Sequence, residues 1–151
     1  MWVYAMLAVI VAALGSLLSG QAADALTVSD AESRTIAEGV AVYRVAVLEW
    51  ARSNPGLSGP VDETIVTVPA WWHRNPAIAA VVEGPMVAVY VTGPSAHGAL
   101  TEMLRLSGGS IWVGTAHRAS GTLYSPTGGD TGIVVPALVP DGAPAWLATR
   151  D

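Results

Sequence analysis

Residues Ser29–Gly56 read SDAESRTIAEGVAVYRVAVLEWARSNPG, and this stretch decides the fold class. Ile36, Val40, Tyr43, Val47 and Trp50 recur at spacings of 4, 3, 4 and 3. That rhythm draws one apolar stripe along an α-helix. Glu38, Arg44, Glu49 and Arg52 fall off the stripe. Ser29 with Glu32 three residues later matches a capping box, and Asn54-Pro55-Gly56 stops the helix. The spacing predicts a helix over about 30–53. Its stripe suits either the domain's own sheet or a partner seam. Only about three heptads are present and strands follow, which favours core packing.

Downstream of this helix the pattern changes to short β-branched runs between Gly and Pro. Leu57 to Asp62 reads as a loop and Thr64 to Val68 as a strand. Trp71-Trp72-His73-Arg74-Asn75-Pro76 reads as a polar-aromatic turn. Met86 to Thr92 is a strand bounded by Gly84-Pro85 and Gly93-Pro94. Ser95 can cap a second helix over 96–107, which Gly108-Gly109 ends. Ile111 to Thr115, Gly121 to Tyr124 and Gly132 to Val135 are short strands. From Pro136 the tail, rich in Pro and Gly, is expected to be irregular, with at most an edge strand. Short Gly-containing turns favour hairpins over crossovers. The expected class is α+β: one long amphipathic helix and a mainly antiparallel sheet with a second short helix.

Upstream, Trp2 to Ser19 reads WVYAMLAVIVAALGSLLS and carries no charge. As a helix it would be about 27 Å long, near the hydrocarbon thickness of a bilayer. Trp2 and Tyr4 stand where amphipathic rings favour the interface. The expected organisation is a transmembrane anchor at 1–20, a connector at 21–29 and a single extracytoplasmic domain at 30–151. The competing reading is a cleaved signal peptide, with small residues at Ala22, Ala23 and Ala25. The absence of Lys or Arg before the apolar run, and its length, favour the anchor.

Composition narrows the function. Charged residues make up 13% of the chain and hydrophobic residues 52%. The net charge is −5, and all seven cationic residues are Arg, scattered along the chain. A nucleic-acid partner needs clustered cations, so none is expected. With no Cys, neither a disulfide framework nor a thiolate site is available.

No catalytic signature stands out. His73, His97 and His117 lack ligand spacing, so no metal site is expected. There is no G-x-S-x-G elbow, phosphate loop or dinucleotide fingerprint, and no cofactor is expected. Asp62, Glu63, Glu83, Glu102, Asp130 and Asp141 are scattered and read as solvating or turn residues. A periplasmic hydrolase or ligand-binding protein, released by signal cleavage, is the alternative that the three His keep open, because triads assemble in space.

The aromatic residues are more informative. Six Trp and four Tyr occur without any Phe. Trp71 and Trp72 lie between Pro69 and Pro76, where neighbours in an extended turn point to opposite sides. One ring can pack on the domain while the other faces out. Trp71, Trp72 and Arg74 are the candidate protein contact, since Trp and Arg dominate binding hot spots. The competing reading has both rings capping the core beside the long helix.

Four pieces, taken in order, carry a family resemblance. They are Tyr43-Arg44-Val45-Ala46-Val47, Asn54-Pro55-Gly56, the passage ending Trp112-Val113-Gly114, and the tail Val135-Pro136-Ala137-Leu138-Val139-Pro140-Asp141-Gly142. With its size and apolar N-terminus, the chain resembles the PilM proteins of type IVb (conjugative thin) pilus systems over nearly its whole length. The cytoplasmic, actin-like ATPase of the same name in type IVa systems is much larger and carries nucleotide motifs missing here. A minor pilin also begins with an apolar helix, but the prepilin cleavage context is lacking. The resemblance implies a non-enzymatic inner-membrane component of the pilin-transport or basal-body apparatus. Its domain would lie in the periplasm. Its partners would be other pilus-assembly proteins, the membrane through the N-terminal helix, and a second copy of the chain in a homo-oligomer.

Overall fold

A computed structural model of the protein describes residues 29–94 and 96–151. The anchor at 1–20, most of the connector and the cap at Ser95 lie outside the described residues. Among the described residues no helix is long and apolar enough to cross a membrane. The α+β unit comprises Ser33–Asp151.

The long helix, α1, is present over residues 29–53. Ile36, Val40, Tyr43 and Val47 of the expected stripe are buried, and Trp50 is half-buried against them. Ser29 is itself helical, so it does not serve as the N-cap. At the other end Asn54 folds back, its Nδ2 donating to the Trp50 carbonyl oxygen at 2.9 Å. This satisfies one of the carbonyls that a helix terminus leaves open.

The sheet has seven strands: β1 (Gly59–Val61), β2 (Ile78–Glu83), β3 (Met86–Val91), β4 (Val113–His117), β5 (Thr122–Ser125), β6 (Gly129–Val134) and β7 (Pro144–Thr149). Their order is β1-β2-β3-β7-β4-β5-β6, and all neighbours are antiparallel. The second helix, α2 (Ala96–Leu106), lies between β3 and β4 in sequence. It ends at Gly108 and Gly109, both at positive φ, with the Gly109 N–H bonded to the Leu104 carbonyl oxygen at 2.8 Å. That backward bond with glycine in the left-handed region is a common helix stop.

Side chains alternate across the sheet and divide the core in two. Ile78, Ala80 and Val82 of β2, Val87, Val89 and Val91 of β3, and Trp146 of β7 join the cluster beneath the helices. Val81, Ala88, Ala145 and Leu147 point the other way. There they meet Ala116 and Leu123 of the distal strands and Val139 and Ala143 of the tail. Ala137 N–H donates to Glu83 Oε2 at 2.8 Å, and Gly142 N–H to the Ala116 carbonyl oxygen at 2.8 Å. These bonds fasten the tail across the second face.

Four expectations are corrected. The strand expected at Thr64–Val68 is absent, and Glu63–Ile65 forms a 3-10 turn instead. Asp62 accepts from the Thr64 N–H at 2.8 Å, and this local bond competes with sheet pairing. The expected loop Leu57–Asp62 contains β1. Ile78–Glu83, which the sequence pattern left without an element, is a strand buried at four of its six positions. The tail forms no edge strand: β7 lies in the middle of the sheet, between β3 and β4. Pro144 is its first residue, the strand position where a missing N–H is tolerated. The three short distal strands occur with shifted bounds.

Gly114 on β4 shows how closely the strands pack. A Cβ there would collide with the carbonyl oxygen of Tyr124 on β5 and would come within 3.0 Å of Leu123 Cγ. Backbone cannot step aside as a flexible side chain can. Gly114→Ala is therefore expected to cost about 1–3 kcal/mol, the usual range for overpacking. Urea denaturation followed by Trp fluorescence reads the change directly.

Candidate protein-contact site

The Trp71–Trp72 turn is built on α1. Trp72 lies flat against Tyr43, with ring centroids 5.1 Å apart and planes 13° from parallel. Both rings are buried. The Tyr43 hydroxyl donates to the Val61 carbonyl oxygen at 3.2 Å, tying the stack to β1. Burial pushes the Tyr43 pKa up, and Arg74 nearby pulls the other way. The stack, the edge strand and the turn thus form one packed unit.

Trp71 projects from this base and is 71% exposed, while Trp72 is only 7% exposed. The two adjacent rings therefore split between core and surface. The Trp72 N–H bonds to the Pro69 carbonyl oxygen at 2.9 Å, and the Ala77 N–H to Asn75 Oδ1 at 2.9 Å. Both bonds are local turn chemistry. Arg74 is half-buried and pairs with Glu63 at 3.5 Å. The structure thus places all three candidate residues in one turn, with Trp71 outward, Trp72 inward and Arg74 held beside them.

A groove of about 330 Å³ runs between this turn and α1. Glu38, Gly39 and Val42 form its helix wall, and Trp71, Trp72 and His73 its turn wall. The Nε1–H of Trp72 is buried without a hydrogen-bond partner. It lies 3.8 Å from the place a Cβ on Gly39 would occupy. A buried donor left unmatched costs free energy. The groove therefore lies beside a large exposed indole, Trp71, while the Trp72 N–H stays sealed beneath it.

The three His do not come together as a site. His73 stands at the rim of this groove. The His97 side chain lies outside the described residues. His117 is exposed at the end of β4, with Nδ1 3.2 Å from Ser120 Oγ. Ser120 Oγ is also 2.6 Å from Thr122 Oγ1. Asp130 bonds the Gly132 N–H at 3.0 Å and is held below the ordinary carboxylate range mainly by that bond. This chain of hydroxyls resembles a triad in composition only. The carboxylate is bonded first to a turn N–H and then to the Thr122 hydroxyl, and every member except half-buried Thr122 faces solvent. Among the described residues no group of three or more His, Asp or Glu is placed to hold a metal ion.

Two further features lay outside the sequence reading. Arg44, off the stripe, is half-buried with its guanidinium 4.7 Å from the ring centroid of Trp146. An apolar hollow of about 500 Å³ lies among Pro85, Met86, Trp112, Ile133, Val134 and Pro136. Arg44 stands four residues after buried Val40 and three before buried Val47, so helical geometry already put it at the margin of the stripe. The hollow joins segments distant in sequence and left no periodic trace.

The family profile described as PilM matches residues 6–147. The crystal structure of a protein named PilM from Escherichia coli B7A is similar, with a TM-score of 0.56 and 21% identity over 78% of this chain and 92% of that one. At that identity the likeness establishes the fold. A protein named pilM from Pseudomonas aeruginosa 2192 aligns with a TM-score of 0.47 and 25% identity, over 80% of this chain and 98% of that one. No curated protein matches the chain. The profile spans nearly the whole sequence, and the chain belongs to the PilM family of pilus-related proteins.

Proposed function

We propose that this protein is a non-enzymatic component of a type IVb pilus assembly apparatus, anchored in the inner membrane with its α+β domain in the periplasm. It acts by holding other assembly proteins, and the turn of Trp71, Trp72 and Arg74 is its contact. The observation that carries this reading is the 71% exposure of Trp71 on a base fixed by the Tyr43–Trp72 stack. A rigid outward indole offers a large apolar area at little entropic cost, which suits an interface anchor. The adjoining groove supports the same reading. Membership of the PilM family supports the pilus context.

Three measurements test it. A clean deletion of the gene should abolish pili without altering pilin synthesis or processing, and normal piliation would refute the role. Fractionation should find the chain in membranes. A soluble periplasmic form starting near Asp24 would favour a released hydrolase or binding protein instead. Substitution should separate the two rings. Trp72→Ala removes a buried ring from the core and should lower stability by about 3–5 kcal/mol. Trp71→Ala should leave the melting temperature unchanged while weakening co-purification with the assembly complex by roughly 30-fold, the equivalent of about 2 kcal/mol at a hot spot. If Trp71→Ala leaves association intact, the contact lies elsewhere.

A further inference from the structure

A third cavity, of about 440 Å³, lies away from the Trp71 groove, where α1 and the loop after α2 meet β7. Arg44, Trp112 and Trp146 line it, together with Ser107, Ser110 and Thr149. The ion pairs of the described residues are made by Arg34, Arg74 and Arg105. Arg44 is not among them. Its Nε is fully enclosed and has no acceptor. Burial lowers its pKa, with no carboxylate acting to offset the shift. A guanidinium stays protonated at neutral pH even so. Arg side chains often lie along aromatic rings with their charge in water. Here the ring contact comes with an enclosed, unmatched N–H, and this is the costly arrangement.

The rest of the lining is also short of acceptors. Ser107 Oγ donates to the Leu104 carbonyl oxygen at 3.0 Å, which uses its proton. Ser110 Oγ accepts from the Trp112 N–H at 3.3 Å, leaving its O–H free to donate. No acidic residue lines the cavity. One fixed positive charge, two indole walls and free hydroxyl protons match a single negative charge on an apolar body. A phosphate dianion would leave charge unmatched against one Arg.

We infer that this cavity binds a carboxylate carried on an apolar group, with Arg44 pairing the carboxylate and Trp112 and Trp146 enclosing the apolar part. A small organic acid and the C-terminal residue of a protein both offer this chemistry. The site is independent of the Trp71 contact and needs none of its residues.

The test is a titration of the full chain with N-acetyl-L-leucine and with N-acetyl-L-leucinamide, following the Trp indole N–H resonances. The acid should bind at least tenfold more tightly than the amide. Arg44→Met keeps an apolar stem of similar reach to the Arg methylenes and removes the guanidinium with its charge. It should abolish the preference for the acid. Thr149→Val, which changes no charge, should fold normally and weaken the acid several-fold. A free-terminus hexapeptide binding at least tenfold better than N-acetyl-L-leucine identifies a protein terminus. Benzoate binding as well as the peptide identifies a small acid. Equal binding of acid and amide overturns the inference. So does an acid preference that survives in Arg44→Met, or inorganic phosphate binding more tightly than any carboxylate.

Discussion

The insertion of β7 between β3 and β4 is the constraint on which the rest of the molecule depends. The strands β1-β2-β3 and β4-β5-β6 each form a three-stranded meander from neighbouring segments. In the sheet, β7 is the strand that joins them, through Met86↔Thr149 to Tyr90↔Ala145 on one side and Val113↔Trp146 to Thr115↔Pro144 on the other. A strand paired on both edges and covered on both faces must be apolar throughout, and five of its six residues are buried. Because β7 comes last in the chain, the sheet closes through contacts of long sequence separation. Their loop-closure entropy must be met before either face of the core is complete.

The same strand ties the two core faces together. Trp146 points to the helices and carries Arg44, whereas Leu147 points to the second face and meets Val139 and Ala143. The contact turn depends on this frame indirectly. Trp72 is held by Tyr43, Tyr43 by the β1 carbonyl at Val61, and β1 by β2, whose pairing continues through β3 to β7. An exposed indole is useful to a partner only when its position is fixed beforehand, and this succession of packed elements fixes it.

Local signals were legible in the sequence and long-range ones were not. The 4, 3, 4, 3 spacing identified α1 and its buried face because an amphipathic helix records that face in its own period. The glycine pair after Leu106 marked the end of α2 for a similarly local reason. Ile78–Glu83 was missed because a strand covered on both faces shows no alternation, only an apolar run. Thr64–Val68 misled because β-branched residues report a preference that the Asp62 side chain overrode with one hydrogen bond. Pro144–Thr149 looked like an edge because Pro and Gly surround it, yet its place is set by partners in β3 and β4, both distant in sequence. For the contact, the Pro-flanked Trp pair showed that the rings would diverge, but which ring turned inward depended on Tyr43. The half-burial of Arg44 was not legible because the period gives a residue's angle on the helix and not the depth of what packs beside it.

The scarcity of charge explains how the remaining arginines are used. With 13% charged residues and no Lys in the sequence, there are few exposed ion pairs among the described residues, and those at α2 contribute little. Arg52 donates instead to the Arg150 carbonyl oxygen at 3.3 Å, Arg150 Nη1 to the Leu57 carbonyl oxygen at 3.3 Å, and the Arg150 N–H to the Pro85 carbonyl oxygen at 2.9 Å. A planar guanidinium presents several donors at fixed angles, so one side chain can reach a backbone carbonyl that no strand or helix satisfies. These three bonds join the end of α1, the loop before β1, the β2–β3 turn and the residue that follows β7. The C-terminal end of the chain thereby closes off the helix with which the described fold begins. Placement of the last strand and placement of α1, the wall of the contact groove, are one structural event.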